Sequence, residues 1–262
     1  MEVAARLSSP LLAHLRIALD DSFVLTATAG WDDLFEAVRT KPVDVVVADP
    51  RADGSIQVEP LRTLLGRYPT LPVVLYASLT PESLKATVEL AKYGVQHVVL
   101  RGFDDEPGRL RELLSRLAAY RLSESVVRGL TPYLADAPPL LARAIARLFE
   151  SPHRFHSVED LARAAGMTRR NLDRRLERCG LASARMLILG ARLVRAFYYM
   201  RDPGFMLEDI TKKLGYTSPR LFARQVRAAT GLTPSTLRSS VIPEEFTVQL
   251  TAMLCRRGGS GS

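Results

Sequence analysis

Along the first ~120 residues the apolar positions fall into short continuous runs, separated by stretches with a helical period. Val24-Leu-Thr-Ala-Thr28, Val43-Asp-Val-Val-Val-Ala48, Pro72-Val-Val-Leu-Tyr76 and Val95-Gln-His-Val-Val-Leu100 do not alternate with polar residues. Continuous Val/Leu runs suit strands that are covered on both faces of a parallel sheet. Glu2–Leu7 is a weaker fifth run that the pattern needs as its opening strand. Helices are predicted over 9–20, 31–40, 57–68, 81–93 and 106–121, the last with Leu110, Leu113, Leu114 and Leu117 on one face. Strand, helix and strand in repeated order predict a doubly wound α/β domain over residues 1–122.

Past Arg121 the strand-like runs stop. Residues 123–138 carry Gly129, Pro132 and Pro138 and read as a linker or a short connecting helix. From 139 to 240 the period is helical nearly throughout, predicting an all-α domain. In the tail, 241–262, Glu244–Arg256 could form one more helix. Gly258-Gly-Ser-Gly-Ser262 reads as a flexible appended remnant outside the fold.

The helical half contains an internal repeat. One copy runs Val158-Glu-Asp-Leu-Ala-Arg-Ala-Ala-Gly-Met-Thr-Arg-Arg-Asn-Leu-Asp-Arg-Arg-Leu176, then Gly180-Leu-Ala-Ser183. The other runs Leu207-Glu-Asp-Ile-Thr-Lys-Lys-Leu-Gly-Tyr-Thr-Ser-Pro-Arg-Leu-Phe-Ala-Arg-Gln-Val226, then Gly231-Leu-Thr-Pro234, with one extra residue in its turn. Each has the chemistry of a helix-turn-helix. A short helix buries Leu161, Ala162 and Ala165, or Ile210 and Leu214. Gly166 or Gly215 takes the turn, and Thr168 or Ser218 caps the next helix, with Pro219 suited to its first position. Leu172 and Leu176, or Phe222 and Val226, face the core. Arg169, Arg170, Asn171, Asp173 and Arg174 are left on the outer face of the first copy, and Arg220 and Arg224 on that of the second. Arg and Asn make bidentate contacts to guanine and adenine edges, so these faces suit major-groove reading. Between the copies, residues 183–200 read as an amphipathic helix with Met186, Leu189, Leu193, Phe197 and Met200 on one face. At 1.5 Å per residue it is ~27 Å long, a strut for holding two recognition helices near the ~34 Å spacing of successive major grooves.

Charge sharpens this division. Residues 1–122 hold 14 Lys and Arg against 16 Asp and Glu, whereas residues 123–262 hold 22 against 12, a net of +10. A basic excess confined to one half is the footprint of a nucleic-acid reader joined to a separate module; the bland alternative is a helical bundle with a solvated Arg face. No apolar run approaches the ~18–20 residues of a membrane span, and Met1-Glu2-Val3 opens no secretory signal. Two cysteines, Cys179 and Cys255, support neither a disulfide framework nor a zinc cluster, which suggests a reducing compartment.

The stretch Gly215-Tyr-Thr-Ser-Pro-Arg-Leu-Phe-Ala-Arg, with Gly231-Leu-Thr-Pro-Ser-Thr-Leu-Arg238, resembles the signature of the AraC/XylS family of bacterial transcription regulators, over residues ~139–240. The resemblance implies a seven-helix unit whose two helix-turn-helix subdomains bind double-stranded promoter DNA and usually activate transcription, with RNA polymerase as a further partner. It implies base reading by Arg170, Asn171, Asp173 and Arg174, then by Pro219, Arg220 and Arg224, and a cytoplasmic, nucleoid-associated protein. Thr211, Val226 and Leu237 depart from the family's usual small or aromatic residues at core positions.

The first half resembles the receiver domain of two-component response regulators. Val43–Asp49-Pro50 is similar to the strand ending in the phosphoacceptor aspartate, and Gly94–Phe103 to the last strand, with Arg101 in place of the active-site lysine. Phosphoryl transfer to a carboxylate needs a Mg²⁺ held by further carboxylates. Asp20-Asp21 lies too close in sequence to Asp49 to supply them, and if Glu2–Leu7 is the first strand the metal positions fall at Ser8 and Ser9. The expected hydroxyl after the fourth strand falls near Ala77, beside Ser78. Asp49 therefore reads as a relic or a structural hydrogen-bonder, and the domain as a degenerate receiver that serves dimerisation, partner docking or ligand binding.

Two rival readings stand beside a DNA-binding regulator: a phosphorylation-responsive regulator using Asp49, and an adaptor that no longer reads DNA. An enzyme, a metal site and a cofactor are not expected. Residues 1–122 lack a cysteine, a glycine-rich phosphate loop and a Gly-x-Ser-x-Gly elbow. His153 and His156 read as loop residues ahead of the Ser157-x-x-Asp160 capping box, and Cys179 as a partly buried structural thiol.

Overall fold

Five of the apolar runs form one parallel sheet in the computed structural model, which describes residues 1–117 and 121–255. The strands are β1 (Glu2–Arg6), β2 (Val24–Ala27), β3 (Val45–Ala48), β4 (Val73–Ala77) and β5 (His97–Leu100), in the order β2-β1-β3-β4-β5. Val3 pairs with Val45, Val46 with Val73 and Val74 with His97, so the Val-rich runs stack across the middle of the sheet. β3 and β4 are buried along their whole length, while β2, at the edge, is half exposed. This is the doubly wound, flavodoxin-like order. The helices are α1 (Ser9–Ala18), α2 (Trp31–Thr40), α3 (Glu59–Arg67), α4 (Pro81–Ala91) and α5 (Pro107–Leu117).

α1 and α5 lie together on one face, where Leu11, Leu15, Leu110 and Leu114 pack on Val3, Ala5, Val45 and Val47. Because all strands run the same way, their C-terminal ends gather at one edge of the sheet. Asp49 lies there, beside the point where the strand order reverses between β1 and β3. Asp20 and Asp21 lead into β2 at the other edge, on solvent.

The chain divides into two units, Met1–Ala118 with Asp202–Asp209, and Ala119–Arg201 with Ile210–Ser262. The helices after α5 are α6 (Arg121–Leu130), α7 (Pro139–Glu150), α8 (Val158–Ala164), α9 (Arg169–Arg178), α10 (Ala184–Met200), α11 (Leu207–Lys213), α12 (Pro219–Thr230), α13 (Pro234–Ser240) and α14 (Pro243–Leu254). The expected helix in the tail is α14; Arg256 and the glycine-serine end lie outside the described residues.

α10 differs from the amphipathic strut that its sequence predicts. Leu193, Phe197 and Met200 are buried as expected, but so are Leu187, Ile188, Gly190, Ala191, Val194 and Tyr199 on the other faces, while Met186 and Leu189 are only half buried. The reason is that α6 and α14 cover the side left open by α7, α8, α9 and α13. Two glycines permit this. A Cβ at Gly190 would come within 2.9 Å of Leu254, and one at Gly129 of α6 within 2.7 Å of Thr251. Phe246 of α14 stacks on Phe197 of α10 with ring centroids 4.3 Å apart. Beyond α14, Cys255 bridges to Leu181, and the Ala182 N–H donates to the Leu254 carbonyl at 2.8 Å.

Truncating a buried, stacked aromatic removes both its transfer energy and its packing. Phe246→Ala is therefore expected to destabilise the helical unit by about 3–5 kcal/mol. Urea denaturation followed by circular dichroism at 222 nm checks this; a loss under 1 kcal/mol would mean that α14 is a loose appendage.

Candidate nucleic-acid interface

The two repeat copies fold into the same local structure. In the first, Ser157 caps α8: its hydroxyl accepts from the Asp160 N–H at 3.2 Å, and the Asp160 carboxylate accepts from the N–H groups of Ser157 and His156 at 3.0 Å. Gly166 then adopts φ +64°, in the left-handed region that disfavours side chains. The Gly166 N–H donates to the Arg163 carbonyl at 3.0 Å and the Met167 N–H to that of Ala162 at 2.9 Å. In the second copy Gly215 has φ +72°. Its N–H meets the Lys212 carbonyl at 3.0 Å, and the Tyr216 N–H that of Thr211 at 2.9 Å. The end of the first helix is thus closed by the same two bonds in both copies, and the second copy takes one residue more to reach its cap.

The capping residues sit where the sequence predicts. Thr168 Oγ1 accepts from the Asn171 N–H at 3.3 Å, and Ser218 Oγ from the Leu221 N–H at 3.2 Å, with Pro219 opening α12. Leu161, Ala162, Ala165, Leu172 and Leu176 are buried in the first copy, and Ile210, Leu214, Phe222 and Val226 in the second. Thr211 and Leu237 are buried as well.

The polar positions of α9 face outward: Arg169, Arg170, Asn171, Asp173 and Arg174 are all exposed, as is Thr168. They differ in what holds them. Arg169 reaches back to Glu159 of α8 at 3.1 Å. Arg174 donates to Asn171 Oδ1 at 3.3 Å, which leaves the Asn171 amide as a donor to the outside. On α12, Arg220 and Arg224 are exposed, and Ser218 and Pro219 half buried. Gln225 is tied to the core by accepting from the Tyr216 hydroxyl at 3.0 Å.

Two outward arginines were missed in the sequence, Arg178 of α9 and Arg227 of α12, both exposed. Arg178 is one turn beyond Arg174 and Arg227 three positions beyond Arg224, so helical spacing was the available signal.

At the C-terminal edge of the sheet, Asp49 is buried. Its carboxylate accepts from the Arg51 N–H at 2.8 Å. Burial pushes the Asp49 carboxyl above its ordinary value, against the pull of the Arg51 N–H, the Arg51 charge, Ser8 and Arg6. Ser9 is the exposed first residue of α1. The residue that the sequence reading overlooked is Arg6, the last of β1, which is buried and ion-paired with Asp53. Arg101 is exposed in the turn after β5, where its charge acts on Tyr76. Ser78 is exposed, while the Thr80 hydroxyl caps α4 by accepting from the Ser83 N–H at 3.1 Å. His153 is half buried rather than a solvated loop residue, whereas His156 is exposed. Among the described residues no three His, Cys, Asp or Glu side chains group so as to hold a metal ion, and no helix is long and apolar enough to cross a membrane.

Residues 161–240 match the family described as a helix-turn-helix domain. The chain thus joins a doubly wound parallel α/β unit to a helical unit that contains a helix-turn-helix domain. No curated protein matches it. Solved structures similar to the chain include full-length FixJ from B. japonicum, 18% identical with a TM-score of 0.39, covering 88% of this chain and 98% of that one. NtrX from Brucella abortus in complex with ADP is 14% identical with a TM-score of 0.40, covering 96% and 80%.

Removing either capping hydroxyl leaves an amide at the start of α9 or α12 without its acceptor. Thr168→Ala and Ser218→Ala are each expected to cost about 1 kcal/mol, with Thr168→Ser and Ser218→Thr close to wild type. Urea midpoints check this, and equal midpoints for all four variants would contradict the capped geometry.

Proposed function

We propose that this protein is a sequence-specific transcription regulator, an activator, that reads two adjacent major grooves of promoter DNA. Residues 1–122 serve as the regulatory domain, a degenerate receiver that accepts no phosphoryl group, and residues 123–138 as the connector. Residues 139–240 read DNA, and 241–262 form the tail. The observation that carries this reading is the repetition of the glycine turn and the hydroxyl-capped helix start, each time followed by a helix with arginines outward, within a half of the chain whose net charge is +10.

The roles follow from side-chain chemistry. Arg170, Arg174, Arg220 and Arg224 offer paired donors to guanine O6 and N7, Asn171 suits adenine and Asp173 accepts from cytosine N4. Arg169, held by Glu159, supplies charge near the backbone. Thr168 and Ser218 stand at helix starts, where N–H groups point at phosphates. Pro219 offers an apolar surface alone. The reading needs no cofactor and no catalysis. RNA polymerase is the partner of an activator, the first domain the place for a homodimer contact, and the nucleoid the site of action.

Selection of random duplex DNA by the purified full-length protein tests it. The expected product is two short boxes with centres ~10 bp apart, one helical turn. Arg174→Ala/Arg224→Ala is expected to lose the enrichment, each single substitution costing about 1–3 kcal/mol of discrimination at its base. Absence of enrichment by the wild type, together with a salt-insensitive complex with a protein partner, would replace this reading with an adaptor.

A further inference from the structure

One stretch from the second half of the chain belongs to the α/β unit. Asp202–Asp209, which joins α10 to α11, falls in the same compact unit as Met1–Ala118. It is embedded there, with Asp202 only 1% exposed and Phe205 3%. The Asp202 carboxylate accepts from the N–H and the hydroxyl of Thr70, each at 2.8 Å. The Gly204 N–H donates to the carbonyl of Arg67, the last residue of α3, at 2.8 Å. A Cβ at Gly204 would come within 2.6 Å of the Tyr68 ring and 2.8 Å of that carbonyl, so this approach needs glycine. The Phe205 and Tyr68 rings pack with centroids 4.7 Å apart. Arg39 of α2 completes the grip, pairing with Asp209 Oδ1 at 2.7 Å.

That last contact bears on the second helix-turn-helix copy, whose first helix starts inside the segment. Asp209 is the third residue of α11, and its Oδ2 accepts from the N–H of Met206, the residue before the helix, at 3.1 Å. Asp160 does the same for α8 in the first copy, accepting from the Ser157 N–H. The two starts are otherwise held differently. In the first copy Ser157 also supplies a hydroxyl that accepts from the Asp160 N–H, and the other Asp160 oxygen pairs with Arg163 of α8 itself at 3.1 Å. In the second copy Met206 stands at the Ser157 position and has no hydroxyl to offer. The cation on Asp209 comes from α2, 170 positions away in the chain. A carboxylate in the first turn stabilises a helix start, and a guanidinium on its other oxygen fixes it in place. α11 has seven residues, too few to persist without support at its ends.

We propose that α2 and the turn after α3 form a binding surface whose occupant is segment 202–209, and that by gripping it the α/β unit sets the start of α11 and so supports the second DNA-reading helix. The first copy closes its own start, so the grip acts on one reader alone. The proposal rests on the reading of α9 and α12 as DNA readers, and it says what the α/β unit regulates: whether the protein binds one box or two.

The test uses the full-length protein with Arg39→Met or Gly204→Ala, which loosen the grip at separate points and leave α12 and its cap intact. Amide hydrogen exchange reads the grip without DNA. Each variant is expected to exchange about tenfold faster than wild type over α11, with α8 unchanged. Unchanged exchange over α11 in either folded variant would overturn the proposal. Should one variant not fold, Thr70→Val, which removes a donor to Asp202, takes its place. Binding to duplexes that carry one or both selected boxes reads the consequence. Wild type is expected to gain about tenfold or more from the box that Arg224→Ala loses, as linked modules do. Each variant is expected to lose this gain and to keep its affinity for the other box alone. A full gain in a variant whose α11 exchanges fast would also overturn the proposal. Should wild type select neither box, the DNA-reading proposal falls by itself, and exchange over α11 still decides whether Arg39 and Gly204 set its start.

Discussion

Burial of α10 on nearly every side is the constraint on which the helical unit depends. A helix of seventeen residues, ~26 Å long at 1.5 Å per residue, is stable as the axis of a domain only if neighbours cover its whole circumference. α7, α8, α9 and α13 cover part of it, and α6 and α14 cover the rest. Gly190 and Gly129 have no side chain because α14 lies against them. With its axis fixed in this way, the unit can present the outer faces of α9 and α12 as polar surfaces without weakening the core beneath them. Leu172, Leu176, Phe222 and Val226 anchor those helices from below, and the capped turns set where each begins.

The two halves handle charge in opposite ways. In the helical half Arg170, Arg174 and Arg178 of α9 and Arg220, Arg224 and Arg227 of α12 are outward, within a net charge of +10, which is what a polyanion would exploit. In the α/β half, Arg6 is buried and ion-paired with Asp53.

Much of this was legible in the chain. The Val runs of β3 and β4 needed no tertiary information, since strands covered on both faces show no alternation. The repeat could be read because Gly166 and Gly215, with Thr168 and Ser218 just after them, do local work that few other residues can do. Three features escaped. α10 carries enough arginine and tyrosine to look one-sided, and its second apolar side gains meaning only when α14 covers it. Arg178 and Arg227 extend the outer faces of α9 and α12 by helical spacing but stand beyond the stretches that carry the repeat. Arg6 sits at the end of a weak strand, where sequence gives no sign of which way a long side chain turns. Its pairing partner, Asp53, lies in a loop 47 positions later in the chain.

The proposed bipartite reading requires that α10, as one rigid axis, hold α9 and α12 at a fixed separation. Its most direct test is the affinity of the full-length protein for a bipartite duplex site whose boxes are moved apart by five or by ten base pairs. A half-turn insertion puts the second groove on the far side of the duplex, and a full turn restores the face but adds ~34 Å of length. A fixed separation predicts that both insertions reduce binding to the level of a single box. Full recovery at ten base pairs, or no loss at five, would show that the two helices move independently and contradict the account.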